Sequence, residues 1–391
     1  MKISSTLYAK QIKSDRQEKG LKTFDGGLGE NPFPQPLSLV NTLKKYASLK
    51  SYTNVQGIKE LREILGDNLI IGNGLKPLLF LIQLAFSKTY ANGKIFHIIP
   101  SWVSYMEQTN ILNIDTHQII QQDPLGKIQP DELDKGLSLT SEKSLIIFNN
   151  PTNPTGLFYT KKEVKEIAKV FKKHKTIVIS DIIYQDLVHQ KYKNDIGKLE
   201  DYYDLVINGA SLSKNVACGG YRFGWLNFKS DKLKNLYDCT TILASSIYSC
   251  PSLPFQYVAL EALKYPKDVR ELINKQRVTF QEISEYCQEE LSKLNLEYSK
   301  SNAAWYFLIS FENYKNYLNS LNIFTSDDLC QYLIKNSGLI TVAGSAFGIK
   351  KKLILRYSYV DLDIKIIDDK MEINYKNIRE FLKLLKNFLK K

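Results

Sequence analysis

The sequence predicts an α/β fold in two parts, and three observations carry that prediction. Short β-like apolar runs at 94–99, 145–148, 176–179, 205–208 and 223–228 are separated in several places by longer helical patterns. Alternation of this kind is the mark of a sheet flanked by helices. At 391 residues the chain exceeds one core of ordinary size, so a second unit is expected. After Pro266 the pattern changes: a long helical stretch at 269–294, a strand at 305–311 and a terminal helix from Tyr375 read as a smaller α+β domain.

Taken in order, helices are expected at 57–65, 75–87 and 161–174, the last within an amphipathic lysine-rich segment. The 269–294 stretch has apolar residues at helical spacing over more turns than the others. Neither an internal repeat nor a low-complexity segment interrupts the chain.

Hydrophobic residues at 43%, charged residues at 24% and 24 tyrosines point to an ordered globular body. The net charge of +12 has two readings, nucleic-acid binding or a lysine-rich surface. The lysines are spread through amphipathic segments, and no zinc-finger, homeodomain or RNA-recognition pattern is present, so no nucleic-acid partner is expected. Cys218, Cys239, Cys250, Cys287 and Cys330 are odd in number, widely spaced and lack a C-x-x-C pair, which argues against a disulfide framework or a structural zinc. A cytoplasmic protein is expected, because the N-terminus has no signal-peptide core and the longest apolar run, 78–86, is too short to span a bilayer.

Polar signals gather where the β-like runs end. Open α/β sheets bind ligands beyond the carboxyl ends of their strands, so 149–156, 181–184 and 211–214 are expected to converge on one crevice. Ser211-Leu212-Ser213-Lys214, with Gly220-Tyr221-Arg222-Phe223-Gly224 just downstream, sets one lysine among hydroxyls, glycines and an arginine. A lysine amine can form a Schiff base with a carbonyl, and hydroxyls with a guanidinium can hold a phosphate, so Lys214 is a candidate covalent attachment point for a phosphorylated aldehyde. By itself the motif is also compatible with a solvated lysine in a polar turn. Asn149-Asn150-Pro151-Thr152-Asn153-Pro154-Thr155-Gly156 is either a plain rigid turn or one that aims Asn153 at a ligand oxygen. Asp181 closes an apolar strand; it is a helix cap, or else a carboxylate that keeps a heteroaromatic nitrogen protonated and makes the ring an electron sink, with Tyr184 close behind.

The order of N-P-T-N-P-T-G at 150–156, S-D-x-x-Y at 180–184, S-x-S-K with G-x-R-x-G, and Arg356-Tyr357-Ser358 resembles the class I/II aminotransferases, the aspartate-aminotransferase-like enzymes of fold type I that use pyridoxal 5′-phosphate. The resemblance covers essentially the whole chain. It implies a large domain (47–260) with a mainly parallel central sheet flanked by helices, a small α+β domain (261–391), and an N-terminal segment (1–46) packing with the small domain and the pocket. It further implies that Lys214 carries the cofactor, Asp181 pairs with the pyridine nitrogen, and Tyr184 and Asn153 bond the phenolic oxygen. Ser211, Ser213, Arg222 and the backbone of Gly74-Leu75-Lys76 would hold the phosphate, the last at a helix start with Pro77 in its first turn. Trp102, in Pro100-Ser101-Trp102-Val103-Ser104-Tyr105, would stack on the cofactor; without the resemblance it reads equally well as a core tryptophan. Gly29, in Gly27-Leu28-Gly29-Glu30-Asn31-Pro32, would line the substrate pocket, and Arg356 would grip the α-carboxylate, a task suited to a planar guanidinium. Cis bonds are implied before Pro100 and Pro154. Tyr52 matches a tyrosine that reaches the neighbouring subunit's phosphate, which implies a homodimer.

The implied reaction moves an amino group between an amino acid and a 2-oxo acid by a ping-pong route, with the freed Lys214 amine as proton shuttle. Three departures stand out: Ser245 falls where dicarboxylate-specific relatives place an arginine, and Ile182 and Cys218-Gly219 are less usual. A lyase or synthase with the same cofactor uses the same residues and stays open at this stage. Reading Ser211–Lys214 as the S-x-x-K of a serine acyltransferase is disfavoured, because the companion S-D-N and K-T-G motifs are absent. A non-catalytic cofactor-binding regulator is disfavoured by the filled catalytic positions.

Overall fold

The computed structural model describes residues 5–368 and 370–390; residues 1–4, 369 and 391 of the expected N-terminal segment and small domain lie outside the described residues. Seven strands form the central sheet, in spatial order Leu69–Gly72, Gly224–Phe228, Val206–Ser211, Ile177–Asp181, Ser144–Asn149, Lys94–Ile99 and Thr116–Ile120. Every pairing from Val206–Ser211 to Thr116–Ile120 is parallel, and Gly224–Phe228 runs antiparallel to both of its neighbours.

The near-continuous apolar runs have a direct cause. In Ile177–Asp181, Ile177 and Ile179 enter one core with Leu78, Leu79, Ile82 and Phe86 of helix Leu75–Thr89. Val178 enters a second core on the opposite face, with Val164, Ile167 and Phe171 of helix Lys161–His174. A strand buried on both faces cannot alternate apolar with polar residues. Helix Lys161–His174 starts where the Thr160 hydroxyl accepts from the Glu163 amide and the Glu163 carboxylate answers at the Thr160 amide, and it stops at Lys175 in a left-handed conformation.

A second, antiparallel sheet runs Val342–Ala343, Ile354–Ser358, Tyr306–Ser310, Glu297–Tyr298. It shares a core with helices Lys267–Ser292, Ser326–Ser337 and Lys376–Leu389, centred on Phe280, Trp305, Phe307, Leu329, Tyr357 and Phe381. Phe24–Asp25 pairs parallel with Leu339–Ile340, which ties the N-terminal segment to this sheet's surroundings.

The expected elements are present with ends displaced by at most three residues, and Lys94–Ile99 and Lys161–His174 coincide at both ends. The strands Leu69–Gly72 and Thr116–Ile120 were not expected. The second is the sheet edge, where only Ile119 is buried, so no apolar run marks it. An exposed hairpin, Asp363–Ile367 with Lys370–Asn374, was not expected either. Among the described residues no helix is long and apolar enough to cross a membrane.

Candidate active site

The three polar segments meet at the carboxyl ends of neighbouring strands. Asn149 sits opposite Asp181, and Asp181 opposite Gly209, so the turn after 149, the carboxylate at 181 and the loop after Ser211 are adjacent by register alone. The Asn149 side chain builds the turn: its amide donates to the Asp181 carbonyl at 3.0 Å and its Oδ1 accepts from the Asn153 amide at 2.8 Å. The cis bonds precede Pro100 and Pro151; the expected one before Pro154 is not there. Residues 152–157 instead close as a turn, with the Thr152 amide donating to the Leu157 carbonyl at 2.8 Å and the Gly156 amide to the Thr152 carbonyl at 3.0 Å.

Lys214 lies three residues past its strand. Its Nζ donates to the Gly29 carbonyl and sits 5.7 Å from the Tyr184 ring centre and 5.5 Å from that of Trp305. Loss of water around the amine pushes its pKa below the ordinary lysine value, so the neutral, nucleophilic form is favoured relative to a surface lysine. Asn31 fixes the loop by donating to the Lys214 carbonyl and, at 3.0 Å, to Gln276, whose own amide holds the Asn215 carbonyl at 3.0 Å.

Asp181 is buried at 3% exposure. Its Oδ2 accepts from the Tyr105 hydroxyl at 2.6 Å and its Oδ1 from the Ile183 amide at 3.1 Å. Burial raises its pKa to about 6, against the pull of those two donors and of the Lys214 charge. The bond from Tyr105 was not foreseen. The signal was its place one helical turn beyond Trp102, in the same segment: the two rings meet edge to face at 5.5 Å.

A carboxyl whose pKa is about 6 when folded, against an ordinary 3.8, contributes stability that is complete below pH 3.8 and lost as pH rises through 6. The cofactor-free Asp181→Asn protein is therefore expected to be more stable than wild type at pH 8, by on the order of 2–3 kcal/mol, with the difference vanishing toward pH 4. Urea unfolding at several pH values measures it, and a pH-independent difference contradicts it.

Tyr184 is buried, and burial first, then its contact with Tyr306, hold the phenol well above the usual range, so it stays protonated. The Tyr184 and Tyr306 hydroxyls are 2.7 Å apart. Arg356, at 7% exposure, reaches the same corner from the second sheet, where it faces Leu308 in register. Its guanidinium donates to Asn153 Oδ1 at 3.2 Å and to the Gly27 carbonyl at 2.7 Å, and lies over the rings of Tyr306 and Phe347 at 4.7 and 5.1 Å. Its Nε has no hydrogen-bond partner, and no carboxylate lies within 4 Å of it among the described residues. A buried guanidinium held by neutral acceptors alone can take an anion as its counter-charge.

The last group sits where helix Leu75–Thr89 begins. Gly74, at φ 91°, precedes it, and no side chain caps its first turn. Arg222 lies against this start, donating to the Gly219 carbonyl at 2.8 Å and the Asn73 carbonyl at 3.4 Å. A Cβ on Gly74 would fall 2.5 Å from the Arg222 guanidinium, and one on Gly224 would fall 2.5 Å from the Leu75 amide nitrogen. The glycines thus leave a cradle of free amides and a guanidinium, with the helix dipole favouring negative charge. Gln108 stiffens it by donating to the Lys76 carbonyl at 2.8 Å. Ser211 is buried beside it, its Oγ accepting from the Ser213 amide at 3.2 Å. Trp102 is partly buried, with the Lys76 ammonium 5.3 Å from its ring. Gly29 is pressed against Tyr306, whose hydroxyl would be 2.5 Å from an added Cβ. Tyr52 stands apart, 90% exposed on the single chain. Tyr306, Trp305 and Phe347 complete the pocket but were missed, because aromatic residues in an apolar strand carry no mark of a site. Among the described residues no cluster of His, Cys, Asp and Glu is disposed to hold a metal.

The chain has known relatives. The chain is 26% identical over 363 residues to an aspartate aminotransferase of Sulfolobus acidocaldarius, covering 88% of this chain and 87% of that protein. It shares its fold with the Thermus thermophilus aspartate aminotransferase solved with maleate, at TM-score 0.82 and 19% identity over 99% and 97% of the two chains. An aromatic aminotransferase of Pyrococcus horikoshii matches at TM-score 0.80 and 22% identity over 96% and 98%. The family model of the class I and II aminotransferases matches residues 27–364, from the glycine strip before Lys214's partner Gly29 to just beyond Arg356, and the chain belongs to that family as an aminotransferase.

Proposed function

We propose that this aminotransferase binds pyridoxal 5′-phosphate at Lys214 and exchanges an amino group between an amino acid and a 2-oxo acid. One observation carries the reading. A desolvated amine, a buried carboxylate, a protonated phenol and an anion cradle built by Gly74 and Gly224 face one crevice, matching in kind the aldehyde, ring nitrogen, phenolic oxygen and phosphate of that cofactor. When bound, the cofactor supplies an electron sink that acidifies the substrate's α-hydrogen.

The chain's own residues supply the rest. Asp181, kept in place by Tyr105 and Ile183, holds a proton at the ring nitrogen. Tyr184 and Asn153 hold the phenolic oxygen, and Trp102 covers one face of the ring. Arg222, Ser211, Ser213 and the Leu75 and Lys76 amides hold the phosphate, the Gly74 amide being taken by the Gly72 carbonyl at 2.8 Å. The Lys214 Nζ, with its pKa lowered by burial, accepts and returns the α-proton. Arg356 and Asn153, with Gly29 closing the strip, orient the α-carboxylate beside it.

Tyr52 serves a second subunit in this reading. It is almost fully exposed, and its neighbour Thr53 bonds Gln256, which also holds the Pro251 carbonyl. Ile242 and Ile247, on the helix that precedes Pro251, are likewise exposed apolar residues on the single chain. Sedimentation equilibrium is expected to show twice the 44.9 kDa chain mass. The five free cysteines suit a reducing compartment such as the cytoplasm.

The name of the Sulfolobus relative makes aspartate the first donor to try, with 2-oxoglutarate as acceptor. Purified protein mixed with the cofactor is expected to gain a visible absorption band and to consume the donor only when an oxo acid is supplied. Turnover without an oxo acid would favour a lyase, and the absence of a band would overturn the cofactor assignment.

A further inference from the structure

We infer that Tyr306 is a positioning residue with two separable duties: its hydroxyl sets the direction of the Tyr184 proton, and its ring holds the Arg356 guanidinium in place. The inference rests on the cofactor placement proposed above and extends it to a residue that placement does not use.

The first duty follows from hydrogen-bond counting. The Tyr184 and Tyr306 hydroxyls are 2.7 Å apart, and neither has another hydrogen-bond partner among the described residues. Each phenol carries one proton. If Tyr184 donates to Tyr306, nothing is left for a ligand oxygen. If Tyr306 donates, Tyr184 is free to donate onward and both groups are satisfied. Tyr306 is 1% exposed, and the Gly29 backbone closes over its hydroxyl, so water is kept from competing for its proton. The rings meet edge to face at 5.7 Å and 90°, and Trp305 packs against Tyr184 at 5.4 Å and 90°, which fixes the phenol's axis.

The second duty is geometric. Tyr306 and Arg356 lie on paired antiparallel strands, with Arg356 two pairs along, opposite Leu308. The guanidinium lies 4.7 Å from the Tyr306 ring centre, and Phe347 supports it at 5.1 Å. With its hydrogen bonds among the described residues going to Asn153 and Gly27, the plane of the guanidinium depends on this stacking.

The two duties are separable by substitution. Tyr306→Phe keeps the ring and loses the hydroxyl; Tyr306→Leu loses both. In cofactor-loaded protein, Tyr306→Phe is expected to move the pH midpoint of the visible absorbance change upward by about half a unit, through loss of one neutral hydrogen bond to Tyr184. Its affinity for succinate, the carboxylate probe, followed by perturbation of the same band, stays within about twofold of wild type, because the stacked ring remains. Tyr306→Leu is expected to weaken succinate roughly tenfold. A Tyr306→Phe titration that overlays wild type overturns the hydroxyl's role, and unchanged succinate binding in Tyr306→Leu overturns the ring's. A wild-type protein that develops no band at all overturns the cofactor placement and the hydroxyl role with it, which is a different result from a loaded wild type with unshifted variants.

Discussion

Lys214→Ala is expected to lower kcat by on the order of 10⁴-fold while leaving the protein folded and as stable as wild type. The activity loss follows from the position of Nζ, which faces both Tyr184 and Trp305 in the crevice. Asp181 cannot substitute as the base, because its two oxygens are taken by Tyr105 and Ile183. The stability expectation has a separate cause. The ammonium is desolvated, and the carbonyl of Gly29 is its partner; no carboxylate lies within 4 Å of it among the described residues. Removing a buried charge that has no counter-ion relieves desolvation, which offsets the lost packing of the side chain. Steady-state kinetics at saturating cofactor and a thermal melt check both halves. A variant retaining a tenth of the wild-type rate would refute the assignment, and an unfolded variant would show the lysine to be structural.

Arg356→Met is expected to reduce kcat/KM for the amino acid by about 10²–10³-fold, mostly through KM. Methionine fills comparable length without charge, so the substitution takes away the grip on a carboxylate and little else. The guanidinium is buried with Nε unpaired and with neutral acceptors at Asn153 and Gly27, so its charge has no compensation until an anion enters. Burial already presses its pKa down from the ordinary arginine value. Substitution strands two acceptors, at about 1 kcal/mol each, and removes a desolvated cation, so the melting temperature is expected to move by a few degrees at most. The ratio of the KM effect to the kcat effect is the informative number. An equal fall in kcat and kcat/KM, with KM unchanged, would place Arg356 at the reacting atoms rather than at the carboxylate.

Much of the architecture was legible because burial on both faces leaves an unmistakable trace. Strands 144–149, 177–181 and 206–211 read as apolar runs for the reason that their alternate residues enter two different cores. The edge strand Thr116–Ile120 left no such trace, since a strand with one buried residue looks like a loop. Lys161–His174 coincided with its expected bounds because its amphipathic pattern begins where the reciprocal cap of Thr160 and Glu163 starts the helix.

Within the candidate site, the groups that stand out chemically in one dimension are those that the chain's letters determined. A lysine among serines and glycines, an aspartate at the end of an apolar strand and an Asn-Pro-Thr turn are each anomalous in their local setting, and strand register brings their segments together. The family followed from their order. What tertiary structure alone decided is the company those groups keep. Tyr105 reaches Asp181 across 76 positions, Tyr306 reaches Tyr184 across 122, and Arg356 reaches Asn153 across 203. Tyrosines in apolar segments are ordinary core residues until a partner hydroxyl or carboxylate is placed beside them. The direction of a proton or the plane of a guanidinium depends on distances of a few ångströms between distant segments, and the folding of two sheets against each other sets those distances.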